Sequence, residues 1–466
     1  MLVLMRKTGW WAGAAALIAT TVAAVPASAS VGLSGLGDPV FPKAGNGGYE
    51  VDHYLLKLDS RPDRRILKGT ATLSATSTQN LSQFNLDLER HMKVDAVSVD
   101  GEAAKESQQS KEMVIKPASP IASGEEFTVE VKYGGSPKPD LHSTGIPAGW
   151  IWTDDGAFVA NEPVAGMRWF PGNDHPSDKA TFDFVITVPK GTKAIGNGEL
   201  VGTSHDKKTS TFHWRMAYPM ATYLATVTSG HFKVDHDKLA GIPSTFAFDP
   251  RIENTKGLKR MKRTEGKALR LFGNSFGPYP FESTGAIVDR PGVPTGGALE
   301  TQTRPVFSFT GGGTVVAHEI AHQWFGDAVS PASWNDTWLN EGFSTWAQWF
   351  YASKNGGRGL QEQFDHVFDR RNASDSFWEL PVADPGGGSL GFSVAIYQRG
   401  AMTLEALRQK VGTAKLLEIL TSWVADHQYG NATTAAFIEA SESATGLDLD
   451  DFFDTWLYQP VKPSGW

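Results

Sequence analysis

Two histidines and a glutamate occur at helical spacing about two-thirds of the way along the chain. Residues 318–322 have the sequence His-Glu-Ile-Ala-His. Because each residue of an α-helix turns by about 100°, His318 and His322 lie about 40° apart, and both imidazoles can reach one cation. Glu319 lies on the same side, close enough to act on a water molecule at that cation without being a ligand itself.

Glu341 is the candidate third ligand. It lies in the sequence Asn-Glu-Gly at residues 340–342, and residues 323–340 separate it from the second histidine. A helix, a loop through Pro331 and a second helix would fold Glu341 back beside the histidines. Two imidazoles and one carboxylate with an open fourth position form a catalytic zinc site. Zinc would lower the pKa of water to about 7, and Glu319 would accept the proton. The pattern therefore predicts metal-assisted hydrolysis.

The competing interpretation is a pair of surface histidines, or one histidine satisfied in the core. The predicted helix is apolar nearly all round, with Val315–Ala317 before the histidines and Trp324 after them. Its polar side chains would therefore be buried and would need partners, for which a metal ion is suitable. Residues 311–314 predict the start of this helix, and Gly326 predicts its end. We therefore favour the zinc site.

Residues 1–29 are typical of a secretory signal peptide. Arg6 and Lys7 are followed by an apolar stretch from Trp10 to Val25, and Ala-Ser-Ala at residues 27–29 fits a cleavage site. An uncleaved membrane anchor is the alternative. We expect a secreted, extracellular protein with no stable membrane association after the signal is removed.

Composition narrows the function further. The chain has 466 residues and a formal charge of -8, from 43 basic and 51 acidic residues, which argues against a nucleic-acid partner. It has no cysteine, which excludes disulfides, thiolate ligands and a cysteine nucleophile. Its 15 Trp and 26 Phe are consistent with a large core.

The secondary structure that must position the candidate zinc ligands and Glu319 is predicted to change from strands to helices along the chain. Residues 30–48 read as a linker, and residues 49–236 read as a β domain with strand-like segments at 49–59, 127–131 and 181–188. From Asn254 the pattern is mainly helical, with amphipathic segments at residues 400–411, 414–427 and 433–445, and a strand near residues 286–288. The predicted fold class is multidomain α+β: an N-terminal β-rich saddle or sandwich domain, then a mainly α catalytic domain at residues 237–466.

Four separated motifs resemble one family. They are His-Glu-x-x-His with Glu341; Gly297–Glu300, similar to the sequence Gly-Ala-Met-Glu-Asn; residues 162–176, similar to a segment late in the first domain of that family; and Tyr397–Gly400, like Tyr-x-Lys-Gly. The chain resembles peptidase family M1, the zinc peptidases of the aminopeptidase N and leukotriene hydrolase type, from about Tyr49 to Pro460.

The resemblance implies a thermolysin-like catalytic domain, one zinc ion and a role for each matching residue. The implied zinc ligands are His318, His322 and Glu341. Glu319 would be the general base, and Tyr397 would donate its hydroxyl to the oxyanion. The residues implied to bind the substrate are Glu300 and Glu162, which would hold its α-amino group, and Gly297, Ala298 and Leu299, which would lie beside it.

The chain departs from the family pattern at several positions. Leu299 replaces Met, which we expect to change side-chain selectivity more than activity. Thr301 replaces Asn and removes an amide from that loop, and Arg399 replaces Lys and keeps the charge. The sequence ends about where the catalytic domain of the family ends, so we expect a short form without the C-terminal helical domain. The corresponding hypothesis is a more open cleft that tolerates longer substrates.

The sequence is consistent with three functions. The first is a secreted zinc aminopeptidase that removes N-terminal residues from peptides with a free N-terminus. The second is an open-cleft zinc endopeptidase or a specialised hydrolase on the same scaffold. The third is a non-catalytic scaffold protein, which we expect to have lost some of the ligands, whereas here all three ligands, the base and the tyrosine are present.

Overall fold

The structure is a computed structural model that describes residues 29–141, 147–290 and 297–466. Apart from Ala29, the predicted signal peptide lies outside the described residues. Among the helices in these ranges, none combines the length and the apolar character needed to cross a lipid bilayer.

The first half of the chain is built from strands. These are β1 (Ser30–Val31), β2 (Tyr49–Arg61), β3 (Ile66–Ser77), β4 (Leu81–Asp87), β5 (Met92–Val99), β6 (Glu102–Ala103), β7 (Lys105–Gln109), β8 (Glu112–Lys116), β9 (Glu126–Gly135), β10 (Gly149–Trp152), β11 (Ala157–Ala160), β12 (Lys179–Pro189), β13 (Lys193–Gly196), β14 (Glu199–His205), β15 (Thr209–Ala221) and β16 (Val227–Gly230).

Within the described residues these strands form three sheets. The largest has eight strands in the order β14-β15-β12-β2-β3-β9-β5-β6, and two four-stranded sheets have the orders β1-β4-β8-β7 and β10-β11-β16-β13. Alternate side chains of β2, such as Tyr54, Leu56 and Leu58, are buried, as expected for a strand with one face on a core. The three sheets share one hydrophobic core.

The second half combines helices with a smaller sheet. Its strands are β17 (Lys233–Leu239), β18 (Ile242–Phe248), β19 (Thr284–Val288), β20 (Ala298–Leu299), β21 (Val306–Phe307), β22 (Ser330–Pro331) and β23 (Asn431–Ala432). Its helices are α1 (Thr255–Gly273), α2 (Gly313–Ala321), α3 (Trp338–Lys354), α4 (Leu360–Phe368), α5 (Val394–Val411), α6 (Thr413–His427), α7 (Thr434–Thr445) and α8 (Asp450–Phe453). The sheet order is β17-β18-β19-β21-β20.

The predicted fold class is confirmed: a β-rich N-terminal domain precedes a mainly helical one. The amphipathic segments correspond to α5, α6 and α7, and the strand expected near residues 286–288 is β19. The domain boundary placed between residues 236 and 237 lies inside β17, which pairs along its whole length with β18.

Residues 30–48, expected to form a linker, contact both halves of the molecule. Strand β1 pairs in parallel with β4. The carboxylate of Asp38 accepts hydrogen bonds from the hydroxyl of Ser333 at 2.7 Å and the backbone N–H of Trp334 at 2.8 Å. These contacts hold the segment against the loop before α3.

A close contact between α3 and α5 positions two of the predicted site residues. A Cβ atom added to Gly342 would lie 2.8 Å from the Cα of Gly400, and the reverse holds as well. Only glycine at both positions lets the two helices approach this closely. Glu341 precedes the first of these glycines, and Tyr397 lies one turn before the second, so the contact brings both side chains to one site.

Candidate active site

Helices α2 and α3 bring the three predicted zinc ligands together. His322 follows the last residue of α2 and keeps helical dihedral angles (φ -56, ψ -27), so the one-turn spacing from His318 is preserved. The Nε2 atoms of the two histidines are 3.0 Å apart, and they lie 3.1 Å and 3.4 Å from Oε2 of Glu341. The three side chains are buried, with at most 9% of their surface exposed.

The donor set fits one zinc ion. Nδ1 of His322 lies 3.1 Å from the backbone carbonyl oxygen of Phe325. A proton on Nδ1 can donate to that carbonyl, and with zinc bound this would leave the lone pair of Nε2 free to hold the ion and fix the orientation of the ring. Two imidazole nitrogens and a carboxylate oxygen that converge in a buried place are the ligands that zinc prefers.

Electrostatics at the three ligands favour a bound cation. Burial raises the pKa of Glu341, but the charge of His322 and hydrogen bonds from both histidines outweigh burial and hold the pKa of Glu341 at about 2. Burial lowers the pKa of His322, but Glu300 and Glu341 outweigh it and raise the pKa well above its usual range. A positive charge among these ligands is therefore stabilised by the surrounding carboxylates.

Glu319 lies beside the ligands without belonging to the converging set. One carboxylate oxygen of Glu319, one of Glu300 and a ring nitrogen of His322 lie within 4.8 Å of one another. Glu319 is 6% exposed, and burial raises its pKa well above the usual range. A carboxyl group in this environment can hold a proton next to the metal ligands.

Tyr397, in the first turn of α5, faces the same ligands. Its ring stacks on His318 with ring centroids 6.1 Å apart and an interplanar angle of 18°. Burial raises the pKa of Tyr397 well above its usual range. The hydroxyl therefore keeps its proton and can donate a hydrogen bond.

Glu162 and Glu300 come from different halves of the chain and meet at the ligands. Glu162 follows β11, and Glu300 follows β20. One carboxylate oxygen from each, together with one of Glu341, lies within 4.8 Å of the others. Oε1 of Glu162 and Oε1 of Glu300 are both buried without a hydrogen-bond partner. Such groups are costly unless a ligand satisfies them.

All ten predicted site residues line one cavity of about 500 Å³. They are Glu162, Gly297, Ala298, Leu299, Glu300, His318, Glu319, His322, Glu341 and Tyr397. Motif reasoning missed the other lining residues, which include Ala148 and Phe158 from the β domain and Thr345, Gln348 and Gln398 from α3 and α5. Thr345 and Gln348 follow Glu341 within two helical turns, and Gln398 lies inside the motif that begins at Tyr397, which is the one signal that could have found them.

Gln323 was also missed. Its side-chain amide donates to the backbone carbonyl oxygen of Glu300 at 3.0 Å, and its Oε1 accepts from the backbone N–H of Thr303 at 2.7 Å. Gln323 follows His322 directly, so it ties the loop that carries Glu300 to the end of the metal-binding helix. Its adjacency to the histidine was the available signal.

The departures from the family pattern have structural consequences. Thr301 donates its hydroxyl hydrogen to the carbonyl oxygen of Arg304 at 2.6 Å, and this bond closes the loop after Glu300. Arg399 is buried and points away from the cavity. Its guanidinium donates to the backbone carbonyl oxygens of Trp378, Leu380, Thr455, Trp456 and Gln459.

Known proteins share both the sequence and the fold. Residues 50–224 match the Peptidase M1 N-terminal domain, and residues 302–456 match the Peptidase family M1 domain. A crystal structure of an M1 zinc metallopeptidase from Deinococcus radiodurans is 27% identical and has a TM-score of 0.82, covering 92% of this chain and 98% of that one. The chain belongs to peptidase family M1.

Other matches to this M1 chain include a second structure of the same protein and longer aminopeptidases. A mutant of the Deinococcus radiodurans protein bound to a Tyr-Ser-Ala substrate is 27% identical, has a TM-score of 0.81, and the match covers 92% of this chain and 99% of that one. Aminopeptidase N from Lactobacillus helveticus is 24% identical, and the match covers 89% of this chain and 51% of the relative. Glutamyl aminopeptidase from Bos taurus is 27% identical over 66% of this chain and 34% of the relative. The chain thus spans about half the length, or less, of these curated relatives.

Proposed function

We propose that this M1 chain is a zinc-dependent aminopeptidase that removes residues from the N-terminus of peptides. The observation that carries the proposal is the placement of the Glu162 and Glu300 carboxylates. Each has a buried oxygen without a hydrogen-bond partner, and one oxygen of each lies within 4.8 Å of a carboxylate oxygen of Glu341. Two carboxylates that lack protein donors suit a cationic group of a ligand, such as the α-ammonium of a peptide.

The short distance from the carboxylates of Glu162 and Glu300 to that of Glu341 explains why the peptide would be cut after its first residue. In a peptide the α-amino nitrogen lies about 2.5 Å from the carbonyl carbon of the same residue, and the next carbonyl is one residue, about 3.8 Å, further along. If Glu162 and Glu300 hold the ammonium, the carbonyl beside the metal ligands is the first one. An internal peptide bond would place an uncharged amide against two carboxylates instead.

Each chain residue then has a defined task. When bound, zinc supplies Lewis-acid chemistry at the carbonyl and acidifies water. Glu319 takes a proton from the attacking water and passes it to the leaving amine, since its carboxyl group is buried beside the ligands. Tyr397 donates a hydrogen bond to the carbonyl oxygen as that oxygen gains charge.

The cavity also supports a preference among N-terminal side chains. Its described lining contains the carboxylates of Glu162, Glu300, Glu319 and Glu341 and no Lys or Arg. Acidic N-terminal residues would meet like charge there, so we propose that the enzyme favours uncharged or basic ones.

The peptidase proposal is tested with a free-amine peptide, a chelator and added zinc. We expect stepwise loss of N-terminal residues by mass spectrometry, loss of activity after chelation, and recovery when one zinc ion per chain is restored. Glu319→Gln should bind the same amount of zinc and lose most of its activity. Internal fragments as the first products would favour the endopeptidase alternative, and no products from zinc-loaded protein would contradict both.

We further propose that the protein is secreted, as residues 1–29 suggest. The support is the charged start, the apolar stretch and the Ala-Ser-Ala pattern in the sequence. Expression of the full chain in a secreting bacterium, followed by N-terminal sequencing of the protein in the medium, should give a start at Ser30. Retention in the cell with residues 1–29 intact would contradict export.

A further inference from the structure

Helix α1 carries a row of basic side chains that the proposed peptidase reaction does not use. The sequence of residues 255–273 contains seven Lys and Arg residues and a single acid, Glu265, which is buried. Six of the seven side chains are exposed. This basic row consists of Lys256, Lys259, Arg260, Arg263, Lys267 and Arg270.

The basic row follows one side of the helix. At about 100° per residue, its six positions fall within an arc of about 100°, and at about 1.5 Å per residue they extend over about 21 Å. The opposite side of α1, including Leu258, Met261 and Leu269, is buried in the second core. The row therefore points away from the protein on a helix that the core holds in place.

The protein itself neutralises none of the six with an ion pair among the described residues. Arg260 donates to the carbonyl oxygen of Gly311 at 2.8 Å, and Lys267 donates to the side-chain oxygen of Asn355 at 3.1 Å, both of which are uncharged. Lys262, the seventh basic residue, lies outside the arc and pairs with Asp237 at 3.0 Å. The row thus keeps its full positive charge on the surface.

This arrangement is unfavourable for the helix alone. Each member of the row has another cation three or four positions away, a spacing at which like charges destabilise a helix. Lys256 lies in the first turn, where no acidic residue is present and the positive end of the helix dipole disfavours a cation. An external anion would relieve both effects.

The surroundings favour a flat anionic surface over a nucleic acid. A plane meets a convex helix along a line parallel to its axis, which is the shape of the row. No aromatic residue lies among the six positions to stack on a base. The rest of this acidic chain, at -8 overall, would be repelled by a polymer that wraps around it but not by a surface touching α1 alone.

We propose that the basic row of α1 is a docking site for the anionic phospholipid surface of a membrane. Attachment through it is electrostatic and reversible, because the apolar side of α1 stays in the core and nothing inserts into the bilayer. It therefore differs from the stable membrane association that the sequence argued against. It is independent of the peptidase proposal, since none of the six side chains lines the described cavity.

The test is flotation of the full-length mature protein with lipid vesicles. Vesicles of phosphatidylglycerol and phosphatidylcholine should carry the protein upward at low salt, and high salt or vesicles of phosphatidylcholine alone should not. Each cation near an anionic surface contributes about fivefold in partitioning. The triple variant Lys256→Gln, Lys259→Gln, Arg263→Gln should therefore partition about 100-fold more weakly.

A matched control removes the same charge from elsewhere. Lys93, Lys207 and Lys410 are exposed lysines outside α1, and their triple change to Gln should leave vesicle binding at the wild-type level. Peptidase activity should be unchanged in both triple variants, and the row variant should unfold at a temperature no lower than the wild type, because it loses repulsion along the helix. If the triple row variant fails to fold, the single variant Arg263→Glu replaces it as the test. It reverses one charge and should weaken vesicle binding.

Three results would overturn the proposal. One is wild-type protein that stays at the bottom of the gradient with phosphatidylglycerol vesicles at low salt. Another is equal loss of binding in the row variant and the control variant, which would assign it to net charge. The last is an oligonucleotide that binds through the row more tightly than the vesicles do. None of these results depends on peptidase activity, so a result that overturns the membrane proposal would not affect the proposed function.

Discussion

Two buried carboxylate sites in this molecule differ in how many of their hydrogen bonds the protein itself supplies. Asp38, 4% exposed, accepts from the backbone N–H groups of Val40, Phe41 and Trp334, from Ser333 and from His175, all within 3.2 Å. Glu300, 2% exposed, keeps one oxygen without any partner. Burial alone therefore does not separate structural carboxylates from binding ones. The binding carboxylates are those that both line the cavity and keep an oxygen without a protein partner.

The difference assigns the two sites to stability and to ligand binding. The saturated carboxylate of Asp38 joins residues 30–48 to the start of the 3-10 turn before α3, and nothing is left for a ligand. The carboxylates around the metal ligands belong to a cavity and need an outside cation. The following changes test this contrast.

Glu319→Gln is expected to have the largest effect. It removes the group that takes the proton, while the zinc ligands His318, His322 and Glu341 remain. We expect kcat to fall by about 10² to 10⁴, the range for a general base. Zinc content, measured alongside kcat, should stay at one ion per chain. A variant that loses its zinc would show that Glu319 belongs to the ligand set instead.

Tyr397→Phe should have the next largest effect. The ring can still stack on His318, but the hydroxyl donor is lost. We expect kcat to fall by about 10² to 10³ with little change in KM, since the hydrogen bond strengthens only as charge develops on the oxygen. Steady-state kinetics on one peptide check this, and a rise in KM alone would assign Tyr397 to ground-state binding.

Glu300→Gln should lower kcat/KM for free-amine peptides by about 10- to 100-fold, the value of a charge-assisted hydrogen bond. Glu282→Gln is the matched control, because Glu282, like Glu300, has a buried carboxylate with unpartnered oxygen but does not line the cavity. Its kcat/KM should remain at the wild-type value. Equal losses in the two variants would refute the assignment of the ammonium to Glu300.

Asp38→Asn should act on stability alone. Replacing an acceptor of five hydrogen bonds is expected to lower the free energy of unfolding by about 1 to 3 kcal/mol at neutral pH, with kcat unchanged. Urea unfolding at neutral and acid pH checks this. A fall in kcat per folded molecule would contradict a purely structural role.

The loss of unfolding free energy in Asp38→Asn should depend on pH in a defined direction. Burial raises the pKa of Asp38, but hydrogen bonds from His175, the backbone and Ser333 outweigh it and hold the pKa well below its usual range. The stabilisation is therefore complete above the unfolded-state pKa of about 4 and is lost as the pH falls through the lower folded-state pKa. The difference between wild type and Asp38→Asn should shrink toward acid pH.

Much of the site followed from local sequence, because its residues lie in short motifs on predictable elements. The spacing of His318 and His322 required only a helix, and the structure supplies one with both side chains buried. The return of Glu341 required a second helix, which is α3. The change from strands to helices was likewise visible in the periodicity of the chain.

Contacts between distant parts of the chain could not be predicted from the sequence. Ala148 and Phe158 reach the cavity from the β domain, and Asp38 meets Ser333 across 295 residues of sequence. The close packing of Gly342 on Gly400 depends on two separate helices. The basic row of α1 was overlooked although the sequence Lys-Arg-Met-Lys-Arg at residues 259–263 contains three of its members, because an acidic total charge conceals a local concentration of cations.

The most direct test of the contrast between the sites compares one peptide with a free α-amine and the same peptide acetylated, using zinc-loaded protein. We expect cleavage of the free-amine peptide alone, because Glu162 and Glu300 need a cation to satisfy their unpartnered oxygens. Cleavage of both peptides at similar rates would contradict an ammonium-binding role for these carboxylates.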